Sequence, residues 1–573
     1  MRQLRGLRAR YGERERGSRD WRLLPVAACV WGVTLACPSD PLSVLGGSSA
    51  GRPVAIAACA VACLCALAAA GARRLPHAAA LATAVLAAAL SVQMHATVAA
   101  HDIAAWSLGQ GTSSVVAVVR IRTPAVTSDR RDADCRTEAR LETLLSRGVM
   151  ASSRAETRVY AEGTACALHQ GAAYLVRGTL ETPRFGTARS WLTLDVGSPP
   201  VEIAAAAPPR RVVHAMQAAF IHVTQRLDDQ GQVLVPGLTL GILGSGVADP
   251  SMRDDAVEPV DGTYAAQVEE WFRTAGIMHL MAVSGGHFAV IGTLIRRLCA
   301  LLRLPRPVAA ACTASGYAAL AAAMMPTDSV MRAMVMGSVG ACAFLVGRRG
   351  QGMSMLCVTV TAALIVDPAL ARSLGFALSC AAVLGILWWA RPLGESLGAH
   401  LPAAVAEPLA TTLAAQALTL PLQILLEPEL PLLSPVANLL TAPVVTASTL
   451  AGLGSLVVCA WAPWLGHPLA WLAGCGTAVM ERIAAWCADA PVTALPWFEG
   501  PAAAVGLLAA ELGAVLLCRL TARALRGIRE RCRGAAEPAT GDPTFGTPYR
   551  PTLLLRTRTW LDEGRRLLSS TEA

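Results

Sequence analysis

The sequence predicts a polytopic α-helical membrane protein of about 12 spans with one small external β domain of OB type. Three observations carry this reading. The 573 residues are 54% hydrophobic and only 16% charged, with mean hydropathy +0.47, and the chain holds many windows of the roughly 20 apolar residues that cross a bilayer. Arginines recur in links on alternate sides of those windows, the asymmetry that orients spans. One long polar region, 96–211, instead shows the apolar/polar alternation of strands.

Residues 1–22 are dense in arginine and precede the apolar run Leu23–Cys37, which places this end in the cytoplasm. Spans at Pro53–Gly71 and His77–Met94 follow at once, so the first run reads as an anchor and not as a cleaved signal. Arg73 and Arg74 in the link between them fit an inside position. Three spans, 23–95, therefore deliver the chain to the outer face.

Region 96–211 has strand-like runs at Ser113–Ile121, Arg158–Glu162, Ala173–Leu180 and Trp191–Val196 with turn residues between them. Its arginines and acids nearly balance, so composition gives no basic patch for nucleic acid. Tyr160, Tyr174, Phe185 and Trp191 are expected in its core more than as stacking platforms. Cys135 and Cys166 are its only cysteines, and on the oxidising side of a membrane they are expected to form a disulfide. The other cysteines of the 17 lie mostly in apolar segments, and no CxxC pair occurs. No metal or cofactor is expected.

Residues 212–275 read as amphipathic helices and an acidic connector lying on the outer face. His214 and His222, eight residues apart, make no metal site by themselves. From 276 to 520 the chain returns to the membrane, with spans expected near 277–295, 307–325, 330–346, 354–366, 374–390, 403–426, 436–460, 466–486 and 501–518. The arginines at 296, 297, 303, 306, 348, 349, 391 and from 519 mark inside ends. The tail 521–573 is arginine-rich, interrupted by proline and glycine, and expected inside.

The stretch Trp271–Val290, WFRTAGIMHLMAVSGGHFAV, departs most from a plain span. His279, Ser284 and His287 are costly in hydrocarbon, and Gly285-Gly286 gives the backbone freedom that a plain span does not need. Such groups survive at membrane depth when they face a protein interior or a wet cavity. A single histidine there is more often satisfied by neighbouring helices than functional. Three polar groups beside a glycine pair make a working segment and a set of satisfied side chains equally good readings. With the expected topology, Asp328, Arg332, Asp367, Ser379, Gln416, Gln423, Ser434 and Asn438 fall at the same level and are candidates to meet the two histidines around one polar cavity. Asp328 with Arg332, four apart, also fits a structural ion pair.

FRTAGIMHLMAVSGGHF resembles the signature of the ComEC family of DNA-internalisation channels. PTDSVMRA (326–333), Gly347-Arg348, Asp367-Pro368, GFALS (375–379), TLPL (419–422) and SPVANLL with Pro443 match further family blocks in the same order. The resemblance covers about 215–460; Gly286 and Met278 depart from the residues usual at their positions. It implies passage of single-stranded DNA through the cell (inner) membrane of a bacterium. The partners it implies are a DNA receptor, a cytoplasmic ATPase and cytoplasmic single-strand-binding proteins. No histidine follows His467, so the histidine-rich motif of the nuclease domain found in many relatives is not expected here, and any such nuclease is expected to be a separate polypeptide. Arg273, His279, Ser284, Gly285, Gly286, His287, Asp328, Arg332 and Asn438 are the expected pathway residues, with Arg273 and Arg332 offering positive charge to a polyanion. A channel and not an enzyme is thus expected. The rival readings are an intramembrane hydrolase with Ser284 as nucleophile and another polytopic transporter. The chain contains no lysine and so no Walker loop, which assigns energy supply to a partner or the proton gradient.

Overall fold

The computed structural model describes residues 20–37, 75–130, 132–183, 189–254, 256–257, 260–281, 285–348, 350–491 and 493–536. The expected span 53–71, the arginines before Asp20, Phe185, Ser284 and Arg349 lie outside the described residues. The chain divides into two compact units, Met1–Leu508 and Ala509–Ala573.

Helices form where the apolar windows lie: Leu24–Ala36, Leu75–Ala100, Arg306–Ala323, Asp328–Leu345, Gly352–Val366, Ala403–Gln423, Ser434–Cys459 and Pro463–Ala488. Leu374–Gly385 continues through a wider π-turn, Ile386–Ala390, into Arg391–Leu397. Among the described residues four helices are long and apolar enough to cross a membrane: Ala79–Ala100, Asp328–Leu345, Leu374–Leu397 and Ser434–Cys459. Leu24–Ala36 packs on Leu75–Ala100 and Gly352–Val366 through Val30, Val85 and Leu356. Its C-terminal carbonyls, Leu35 and Cys37, accept from the Arg372 guanidinium at 2.9 Å each, a cation at the negative end of a helix.

Three expectations are corrected. The span expected over 277–295 does not open as an α-helix: Met278–Met281 forms a 3-10 turn, and α-helix is described over Gly285–Leu301. The helix from Pro501 continues to Ala536, past the start of the expected tail, because arginine, leucine and alanine favour helix and no proline intervenes. The amphipathic stretch expected on the surface becomes Pro208–Thr224 and Asp229–Leu240. The second of these is buried from Val233 to Leu240. It shares cores with Phe220, Phe272, Phe288 and Met480, so its whole circumference is covered.

Between Gln110 and Ala204 the chain forms a closed barrel. Five strands, Ser113–Ile121, Cys135–Ser146, Glu156–Ala161, Ala173–Glu181 and Trp191–Leu194, pair in the circular order first-second-third-fifth-fourth-first. All pairs are antiparallel except third with fifth. Alternation fills the interior: Val115, Ala117, Val119 and Ile121 point in, as do Leu141, Val159, Val176 and Leu192. A register shift at Val118/Val119 bends the first strand. Gly178 permits the closure of fourth on fifth, since a Cβ there would lie 2.2 Å from the Thr193 carbonyl oxygen. The short helix Ile103–Gly109 joins the barrel to Leu75–Ala100; its Ser107 hydroxyl meets those of Ser113 and Ser146 at 2.8 Å.

Tyr160, Trp191 and Tyr174 are buried, so they are core aromatics. The barrel arginines are matched by acids: Arg120 with Glu142 at 2.6 Å, Arg158 with Glu138 at 2.7 Å and Asp129 at 3.4 Å, and Arg136 with Asp129 at 3.3 Å. Cys135 and Cys166 are joined by a disulfide, with Cα atoms 6.0 Å apart.

Candidate functional site

The sequence blocks that stand far apart in the chain meet in pairs. Gly276 adopts φ +67, and a Cβ on it would lie 2.6 Å from that of Ser434, so only glycine lets this turn dock on the helix Ser434–Cys459. The Ser434 hydroxyl, 1% exposed as a residue, donates to the Gly276 carbonyl at 3.1 Å across 158 residues. It accepts in turn from the Gln416 amide at 2.6 Å. Asn438 donates to the Ser434 carbonyl at 2.8 Å, and His279 faces Asn438 and the Gly276 carbonyl. His279 is exposed. Next to it, Leu280, Asn438, Thr441, Thr411 and Glu407 line a groove of about 470 Å³ between Ala403–Gln423 and Ser434–Cys459.

A second cluster gathers at the start of Asp328–Leu345. Arg332 is 5% exposed. Its Nε donates to the Ser379 hydroxyl at 2.7 Å, and Ser329 donates to the same hydroxyl at 3.0 Å. Asp328 does not pair with Arg332. It accepts from the Ser373 hydroxyl and lies beside Gly375 at the start of the helix Leu374–Gly385, where a Cβ would be 3.2 Å from its Oδ2. Arg332 Nη2 instead lies 3.7 Å from the place of a Cβ on Gly285, the first residue of Gly285–Leu301. Among the described residues neither Nη has a hydrogen-bond acceptor and no carboxylate is within ion-pair reach. Arg332 thus stands buried beside the helix Gly285–Leu301, with no carboxylate paired to it among the described residues.

His287 is buried, its Nε2 3.1 Å from the Leu238 carbonyl. It ties Gly285–Leu301 to the buried helix Asp229–Leu240 and is not among the residues that line the groove beside Leu280 and Asn438. Arg273 is held by three carboxylates, Glu269 at 3.2 Å, Glu270 at 3.1 Å and Glu427 at 3.2 Å, so its charge is already answered. Asp367 caps a turn by accepting from Ala369 N at 3.0 Å, and Gln423 is exposed at a helix end; neither joins a cluster. The single cavity expected around both histidines is therefore two clusters. Glu407 and Thr411, absent from the sequence candidates, join the groove through their place on Ala403–Gln423, a relation visible only in three dimensions.

Residues 261–522 match the family model described as Competence protein. Over 215 residues, 35% of this chain, the sequence is 28% identical to the uncharacterized protein YcaI of Escherichia coli strain K12. The match spans 28% of the length of that relative. No solved structure matches the chain.

Proposed function

Residues 261–522 carry a domain of the Competence protein family, and from that premise we propose that the chain passes single-stranded DNA across the bacterial cell membrane during natural transformation. The observation that carries this reading is Arg332, buried beside the start of Gly285–Leu301 with both Nη groups lacking an acceptor among the described residues. Burying a cation without an anion is costly. A passing phosphate supplies the missing charge and leaves again, because a single guanidinium holds it only moderately. His279 and Asn438, hydrogen-bonded to each other and to Gly276 and Ser434, set the polar edge of the groove.

The finer architecture belongs to the same reading. We propose about 12 spans, with both termini in the cytoplasm and the barrel outside. Its strand order, with the third and fifth strands parallel, supports an OB-type barrel. Reporter fusions after Gly163 and Glu572 are expected to give opposite sides of the membrane. Matching signals would overturn the orientation. A DNA receptor, a cytoplasmic ATPase and single-strand-binding proteins are the partners that this function calls for.

Side-chain removal separates the channel from a hydrolase. His279→Ala is expected to lower entry of labelled DNA while leaving the amount of protein in the membrane unchanged. His287→Ala is expected to lower both, since the Leu238 carbonyl loses a buried partner at a cost of about 1–3 kcal/mol. Ser284→Ala is expected to keep part of the import, whereas a serine nucleophile would tolerate no such change. Complete loss with Ser284→Ala, together with a proteolytic activity that disappears with it, would replace the channel reading by the hydrolase one.

A further inference from the structure

A cluster outside the membrane domain has the composition and spacing of a metal site. His169 lies in the loop before the fourth barrel strand, His214 on the helix Pro208–Thr224, and Asp249 at the cap of the Pro250–Met252 turn. Each offers one ligand atom, and the three atoms lie within 4.8 Å of one another. Asp249 is 2% exposed.

The His214–Asp249 separation fits a shared ion better than a direct hydrogen bond. His214 Nε2 stands 3.4 Å from Asp249 Oδ2, beyond the usual range of roughly 2.7–3.2 Å for N–H···O. Two ligands bound tetrahedrally at about 2.0–2.1 Å lie about 3.3 Å apart. The remaining polar atoms hold the ligands in place from behind. Asp249 Oδ1 accepts from Ser251 N at 2.9 Å and from its hydroxyl at 2.7 Å, which leaves Oδ2 toward His214. His169 Nδ1 faces the Tyr174 hydroxyl at 3.4 Å, while Nε2 faces the Ser251 hydroxyl at 3.5 Å. The two imidazoles meet edge-on, centroids 4.7 Å apart. Outer partners of this kind fix ring orientation at metal centres.

We propose that His169, His214 and Asp249 bind one zinc-class divalent ion that pins the barrel to the helix Pro208–Thr224. Two imidazole nitrogens and one carboxylate oxygen without sulfur suit such an ion, with the fourth position open to water or the Ser251 hydroxyl. The ligands come from three segments far apart in sequence, so one ion fastens the barrel, the helix after it and the segment that returns toward Gly262–Thr274.

Full-length protein in detergent, stripped by chelator, reloaded with zinc sulfate and desalted, is expected to retain about one zinc per chain. Asp249→Asn and His169→Ala are each expected to lower retention at least about 10-fold, while His222→Ala, on the same helix, keeps it. Wild-type protein that retains no zinc overturns the site, and so does retention unchanged in both variants. Should the variants fail to fold, cobalt loading of the wild type decides: bands of nitrogen and oxygen ligation support the site, and thiolate charge-transfer bands in their place overturn it.

Discussion

Arg332→Met is expected to reduce import of labelled DNA by roughly 10- to 100-fold while the protein reaches the membrane in normal amount. The two halves of this outcome have separate causes. Arg332 is buried with its Nε on Ser379 and its Nη2 beside Gly285. A charged donor to a phosphate contributes about 1.5–3 kcal/mol, which as a barrier is about 10- to 100-fold in rate. Methionine fills similar volume, and replacing an uncompensated buried charge by an apolar group is often neutral or stabilising. Folding is therefore spared while the anion site is lost. Arg332→Lys is expected to fall between, keeping the charge and losing the planar fork. Import at the wild-type level in Arg332→Met would remove Arg332 from the pathway.

The second large effect concerns the barrel. Cys135 and Cys166 close a loop of sequence separation 31, and in the chain-entropy view a bridge of that span stabilises by about 3–4 kcal/mol. A small domain has a modest core, so the bridge is a large share of its stability. Cys135→Ser with Cys166→Ser is expected to lower the denaturant midpoint of the barrel, followed by the fluorescence of the buried Trp191. The ratio of folded to unfolded barrel is expected to drop by roughly 100- to 1000-fold. Mass mapping of alkylated, non-reduced protein checks the premise. Free thiols at both positions would contradict the bridge and the oxidising side on which it depends.

The helices were legible because their apolar windows are long and their ends carry arginine, proline or glycine. The same periodicity hid the 3-10 turn Met278–Met281: His279, Ser284 and the glycine pair signalled a departure from a plain span, but not its form. An amphipathic pattern likewise shows that one face must be covered and leaves open what covers the other. Asp229–Leu240 looked like a surface helix for that reason and is buried between two neighbouring cores. Block-to-block pairing was partly legible. Gln416 with Ser434 and Arg332 with Ser379 join candidates already at one expected depth, whereas the acids that neutralise Arg273 include Glu427, remote in sequence. The His169, His214 and Asp249 cluster had no sequence signal, since its ligands follow no motif spacing and meet only through the barrel's closure.

Strand import itself is tested most directly in the native bacterium by deleting the chain and following radiolabelled duplex DNA. The account predicts that deleted cells bind DNA at the surface as before but accumulate no nuclease-resistant single strand in the cytoplasm, and that the wild-type chain restores it where Arg332→Met does not. Normal accumulation of internal strand in the deleted cells would contradict it.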